Sequence, residues 1–182
     1  MTRPQLEHII RAAGTIADDD DLIVIGSQSV LGAFPDAPEE LRISREADVY
    51  PRNYPERADL IDSTIGEDSP FDKSFGYYAH GVAPETAILP EGWRDRLVLV
   101  GGENTRFVRG WCLEVHDLAI AKYAAGRPKD LSFNQALIRN GMLSRQTLLT
   151  RLESTQLTPE IRTLTQHRIR RQFSPATGAS GS

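Results

Sequence analysis

Cysteine is nearly absent from this chain: Cys112 stands alone among 182 residues. That excludes a disulfide framework and a cysteine-rich zinc module. One unpaired thiol suits a reducing compartment, so the expected location is cytoplasmic. No run of about 18 apolar residues exists, so no membrane-spanning helix is expected. Charged Arg3 and Glu7 stand where a secretory leader would need apolar residues, so no leader is expected. Basic charge is not in excess either. Lys and Arg number 21 against 25 Asp and Glu, a net charge of −4. That argues against a chain held on nucleic acid by bulk charge, while leaving room for a local basic surface. There is no G-x-G-x-x-G, no Walker-type lysine loop, no G-x-S-x-G elbow and no internal repeat.

What remains is ordinary globular composition, 40% hydrophobic and 25% charged. The length fits one domain of about 150 residues plus a small appendage. Leu6, Ile9, Ile10 and Ala13 recur at helical spacing, with Gly14 as a stop. The acidic run Asp18 to Asp21 reads as a solvated turn. Leu22 to Ile25 is a short buried strand ended by Gly26-Ser27, and Ser27 is placed to cap a short helix through Ala33. A strand is expected over Ile43 to Tyr50, closed by Pro51, then a helix over Pro55 to Ile65 and a strand over Phe75 to Val82. Leu97 to Val100 and Thr105 to Val108 read as a hairpin about Gly101 to Asn104.

After Trp111 the pattern turns helical. Helices are expected over Val115 to Ala125, Pro128 to Asn140, Ser144 to Thr155 and Pro159 to Phe173, the last capped by Thr158. Strands that precede helices favour an α+β fold over a repeating βαβ sheet. The expected organisation is an α/β core over 1–112 and a helical region over 113–173 that completes the site. Residues 174–182, small and polar, are expected to be a disordered tail.

Four features could carry chemistry, and each also has a structural reading. Gly26-Ser27 lies between strand and helix, where a backbone can approach an anion such as phosphate; a plain capped turn is the alternative. Glu46 and Asp48 are two apart on a strand, so they share a face. Neighbouring carboxylates repel unless a cation or an arginine lies between them. Oxygen donors of this kind suit Mg²⁺ with substrate phosphates, and neutralisation by Arg42 or Arg45 is the alternative. Lys122 borders the apolar stripe of its helix, so its ammonium either enters a cleft or snorkels to water. Asp130 falls in the first turn of the next helix, where a carboxylate is also favoured by the helix dipole. His116-Asp117 lacks the further histidines that a metal-binding pair of this type needs, and Cys112 reads as a core residue.

The order of these features resembles the polymerase-β-like nucleotidyltransferase superfamily. Ser44-x-Glu46-x-Asp48 is similar to its T-x-D-x-D motif. Asp117-Leu118, Lys122, Ala125, Arg127, Lys129 and Asp130 follow the D-L-x-x-x-K-x-x-A-x-R-x-K-D spacing of AbiE-type toxins and related bacterial proteins. The resemblance spans roughly Leu22 to Leu149. It implies a small mixed β-sheet core with flanking helices, and a Mg²⁺- or Mn²⁺-dependent transfer of NMP from NTP to RNA, such as tRNA, or to a protein. Gly26 and Ser27 would meet the nucleotide phosphates, Glu46 and Asp48 the metal, Lys122 the triphosphate, and Asp130 would close the site. A toxin role with a partner antitoxin is implied in turn. Two positions depart from the pattern: Glu46 stands where an Asp is usual, and the strand over Phe75 to Val82 carries His80 but no third acid. These departures favour the alternative, a catalytically degenerate relative that binds a nucleotide or a partner. In an unrelated α+β protein, Glu46, Asp48, Lys122 and Asp130 would not converge.

Overall fold

A computed structural model describes residues 1–174. All but the first residue of the expected tail lies outside the described residues. The fold is α+β, a five-stranded mixed sheet with helices packed around it and a helical C-terminal part. The strands are β1 (Asp21–Val24), β2 (Glu46–Pro51), β3 (Tyr78–Gly81), β4 (Val98–Val100) and β5 (Arg109–Cys112), in spatial order β3-β2-β1-β5-β4. β1 runs antiparallel to β2 and parallel to β5, β2 is parallel to β3, and β4 is antiparallel to β5.

Helix α1 (Arg3–Ala17) buries Leu6, Ile9, Ile10 and Ala13, the stripe that its spacing predicts. It continues past Gly14, which is not a stop. A side chain at that position would overlap Val108, so the glycine admits a close approach inside the helix. The helix ends at Asp18, in left-handed conformation. The acidic run is only partly a solvated turn. Asp19 is buried and accepts from the Asn53 backbone and amide at 2.8 Å, while Asp21 accepts from Arg109 at 2.7 Å and Trp111 at 2.6 Å.

The tetrapeptide helix α2 (Val30–Ala33) follows β1 across a single tight turn, Ser27–Ser29. Helix α3 (Ala58–Ile65) packs on β2 and β3 and against α1. Together α1 and α3 cover the sheet face that carries Leu22, Val24, Ala47, Val49 and Ala79, all buried. That burial leaves the alternate positions of β2, Glu46 and Asp48, on the opposite face.

Three strands differ from expectation. β2 starts at Glu46, with Ile43 exposed before it, and Pro51 is its last residue, not a terminator beyond it. β3 has ended before this point, so no neighbour on that side needs the missing N–H. The expected strand from Phe75 begins only at Tyr78, because Pro70–Phe75 forms helix α4. The Ser69 hydroxyl caps it by accepting from the Asp72 N–H at 3.2 Å, and Gly76, at φ 75°, ends it. The fifth strand is Arg109–Cys112, not Thr105–Val108. Residues 103–105 form a tight turn, and Arg106 and Phe107 stand at positive φ, 51° and 65°, which breaks the extension.

The C-terminal helices are α5 (Val115–Ala125), α6 (Pro128–Arg139), α7 (Arg145–Glu153) and α8 (Pro159–Gln172). Helices α6, α7 and α8 pack around α5. Asp117 is fully buried and ties this part to the turn after Trp93: Arg96 donates at 2.8 and 3.0 Å, and the Arg151 Nε lies 3.2 Å away. His116 is engaged as well: Nδ1 lies 2.7 Å from Glu114 Oε1, and Nε2 accepts from the Ser144 N–H at 3.0 Å. Among the described residues, no helix is long and apolar enough to cross a membrane.

Candidate functional site

A cleft of about 890 Å³ opens where β1 and β2 meet α5 and α6. Gly26, Ser27, Glu46, Asp48, Lys122 and Asp130 all line it.

The first wall comes from the end of β1. Ile25 N–H donates to the Asp48 carbonyl at 3.0 Å, so β1 and β2 run together to this point. Gly26 then passes directly over Asp48. A methyl group at residue 26 would overlap the Asp48 carboxylate, chiefly its Oδ2. The glycine is there for room, since its φ of −81° is open to any residue. Ser27 does not cap the next helix. Its hydroxyl accepts from the Lys122 ammonium at 3.0 Å. The helix behind it has four residues, too few to direct a substantial dipole at an anion. Gln28, in the same turn, is fully buried and neither atom of its amide has a partner among the described residues.

The second wall is the β2–β3 pair. Glu46 and Asp48 share the cleft face, as their spacing predicts. Neither Arg42 nor Arg45 lies between them; Arg45 pairs with Asp72 in α4 instead. β3 supplies two further groups. Glu46 is paired in register with Tyr78, and Asp48 with His80. The Tyr78 hydroxyl donates to Glu46 Oε2 at 3.1 Å. His80 Nδ1 lies 3.2 Å from Asp48 Oδ1 and 3.7 Å from Glu46 Oε1. The two carboxylates lie side by side and shift in opposite directions. Burial and then the neighbouring Glu46 push Asp48 up to about 6. Glu46 is held below its usual range: burial opposes this, but the hydrogen bonds with Asp48 and Tyr78 outweigh it. Such a pair is unfavourable alone and is relieved by a cation.

The third wall belongs to α5 and α6. Lys122 is 11% exposed at its side chain and projects from α5 into the cleft, so it does not snorkel to water. Its ammonium lies 3.1 Å from Asp130 Oδ1 and 4.6 Å from the centre of the Phe133 ring. Burial holds its pKa below the usual lysine value, with Asp130 opposing. Asp130 is 1% exposed and also accepts from Arg127 Nε at 2.6 Å. Burial would raise its pKa, but Arg127 and Lys122 prevail and lower it. With both oxygens engaged, Asp130 is a positioning residue for the two cations. Lys129 adds positive charge to the same wall, while Arg139 there is paired with Glu40.

Sequence reasoning noted His80 without giving it a role and passed over Tyr78 and Phe133. The first two gain their place from strand register, and the third from the helix facing of α6. Among the described residues, Glu46, Asp48 and His80 form a group of three metal-ligand side chains, with one donor atom from each lying within 4.8 Å of the others. The crowded carboxylates, with an imidazole beside them, fit a divalent cation. The basic residues of α8 are partly accounted for internally. Arg162 donates to the Leu152 and Thr155 carbonyls at 2.6 Å, and Arg168 to that of Tyr123 at 2.6 Å.

The mixed sheet thus carries two carboxylates on one strand, and a buried lysine faces them across one cleft. A family model described as a nucleotidyltransferase of unknown function, DUF6036, matches residues 4–173, and the chain belongs to this family. Neither the curated proteins nor the solved structures gave a match to the chain. The family membership places the chain in the nucleotidyltransferase class.

Proposed function

We propose that the protein transfers a nucleoside monophosphate from an NTP to an acceptor hydroxyl, with Glu46 and Asp48 holding Mg²⁺ or Mn²⁺. The observation that carries this reading is the Ser27–Lys122–Asp130 contact facing the Glu46–Asp48 pair across one cleft. It puts hard anionic donors on one side and a fixed ammonium on the other, the charge pattern that a metal–triphosphate complex needs.

Each residue then has a task. Lys122 and Ser27 bind the triphosphate. Asp130 and Arg127 hold Lys122 in place. Gly26 leaves the room in which the Asp48 carboxylate sits. A divalent cation, when bound, neutralises phosphate oxygens and stabilises charge at the α-phosphoryl group. The acceptor hydroxyl gives up its proton to solvent as its oxygen attacks the α-phosphorus in line, the bond to the β-phosphate oxygen breaks, and pyrophosphate leaves. Positioning and charge stabilisation supply most of what this chemistry requires.

The proposed acceptor is RNA, with tRNA as the specific candidate, and the proposed setting is a toxin paired with an antitoxin. Support comes from the likeness of the Asp117–Asp130 segment to AbiE-type toxins. His167, Arg170 and Arg171 on α8 are the candidate RNA contacts. A degenerate nucleotide-binding relative is the second reading, favoured by Glu46 and by His80 where a third acid is usual.

The test is label transfer. The protein is incubated with each α-labelled NTP, Mg²⁺ or Mn²⁺ and total RNA, beside a Glu46→Ala/Asp48→Ala control. Label on RNA, lost in the control, is the expected result. Label on protein alone replaces the acceptor. Tight metal-dependent NTP binding without transfer assigns the degenerate reading.

A further inference from the structure

The donor set at the cleft contains nitrogen as well as oxygen. β3 runs parallel beside β2, and Asp48 stands in register with His80, so their side chains share a face. The neighbouring strand thus presents an imidazole to the carboxylate pair. Orientation is specific at each donor. Glu46 turns Oε2 to the Tyr78 hydroxyl and Oε1 to His80. Asp48 turns Oδ2 toward Gly26 and Oδ1 to His80. The far oxygen of Glu46 is held by the Tyr78 hydroxyl, and one oxygen of each carboxylate faces Nδ1. For Glu46 this is the outer support that ligands of a metal ordinarily need.

The spacing suits one ion. Neighbouring ligands lie about 2.9 Å apart around an octahedral ion with bonds of ~2.05 Å, and about 3.4 Å apart around a tetrahedral ion of similar bond length. The observed separations from Nδ1 are 3.2 and 3.7 Å. The side chains of Glu46, Asp48 and His80 are 38%, 25% and 49% exposed, so all three are open to the cleft. Oxygen-only sites suit Mg²⁺, which also sheds its water reluctantly. Imidazole favours first-row transition dications.

We propose that His80 Nδ1 is a third ligand here and that it biases the site toward transition dications, cobalt and manganese among them, over Mg²⁺. This rests on the reading that Glu46 and Asp48 hold the catalytic cation, and its test is read without turnover.

Nucleotide-free protein is titrated calorimetrically with MgCl₂, MnCl₂ and CoCl₂, and the cobalt complex is followed by visible absorption. The same is done with His80→Asp and His80→Gln, whose fold is checked by circular dichroism. Wild type is expected to bind Co²⁺ and Mn²⁺ at least about tenfold more tightly than Mg²⁺, and His80→Asp to cut the Co²⁺-to-Mg²⁺ ratio about tenfold or more. The cobalt absorption should change when nitrogen is replaced by oxygen. A ratio unchanged by His80→Asp, equal affinity for Mg²⁺ and Co²⁺, or no binding of any of the three overturns the proposal. NTP binding and label transfer on the same samples separate the two readings. Transfer with Mg²⁺ and an unchanged ratio removes His80 as a ligand and leaves the transferase. A His80-dependent ratio without NTP binding does the reverse.

Discussion

Gly26 lies so close to Asp48 that the carboxylate occupies the space a side chain at residue 26 would fill. Gly26→Ala keeps an accessible backbone conformation, so its effect isolates that overlap. The carboxylate must move or the β1 end must shift. A loss of about 100-fold or more in label transfer is expected, since small misplacements of reacting groups carry large rate costs. Overpacking should lower stability by about 1–3 kcal/mol in urea unfolding.

The Lys122–Asp130–Arg127 cluster predicts an asymmetry. Asp130→Ala leaves Lys122 buried without its counter-charge, so a loss of about 3–5 kcal/mol is expected. Lys122→Met leaves Asp130 paired with Arg127 and should cost only about 1–2 kcal/mol. Both should abolish NTP binding. Denaturant unfolding and nucleotide titration of the two variants check the order.

Asp48→Asn is expected to stabilise the metal-free protein while ending transfer. At neutral pH burial and Glu46 disfavour the Asp48 charge, whose pKa stands near about 6. Removing it should gain about 1 kcal/mol, or a rise of about 2–4 °C in Tm. Added Mn²⁺ should then raise the Tm of wild type and not of the variant.

Asp117 tests the histidine-aspartate pair. Its carboxylate is fully buried between Arg96 and Arg151. Asp117→Asn should destabilise by about 3–5 kcal/mol, because two guanidinium groups lose their shared counter-charge. Chelator should leave the contribution of Asp117 unchanged, as measured by thermal unfolding with and without EDTA.

Asp21 carries a pH dependence. The Arg109 hydrogen bond, with smaller help from Trp111, lowers its pKa from 3.8 to about 2 against the opposing effect of burial. A carboxylate lowered on folding stabilises above its unfolded pKa. That stability is lost as pH falls from about 4 to about 2. Half-exposed Arg109 is screened by solvent, so about 1 kcal/mol is expected at neutral pH. Asp21→Asn should destabilise by this amount at pH 7 and by almost nothing at pH 2, in urea unfolding at low salt.

Much of the site could be read from local pattern. Glu46 and Asp48 share a face because a strand has period two, and Gly26-Ser27 sits where a strand must turn. Lys122 and Asp130 fall in a spaced motif on two successive helices. His80 could not be read this way. Its place beside Asp48 depends on parallel pairing of β2 and β3 in one register, and register is a long-range property. The fold shows the same division. Helices α5 to α8 follow their apolar periodicity and caps. Gly14 and the strand near Trp111 misled, because a glycine in a close contact looks locally like a stop. The positive-φ pair at Arg106 and Phe107 likewise looks locally like extended chain. Helix α4 did have a signal, a serine followed by proline with an aspartate three residues on.

Ser27 and Lys122 are 95 residues apart in sequence yet 3.0 Å apart in the folded chain. Synthesis proceeds from the N-terminus, so a ribosome-bound chain has its acidic residues long before its ammonium. Even the sheet waits for Arg109–Cys112 to flank β1. In the proposed reading, an unfinished copy carries the cation ligands and lacks the groups that grip a triphosphate. Competence comes with α5 and α6, the helices that carry Lys122 and Asp130.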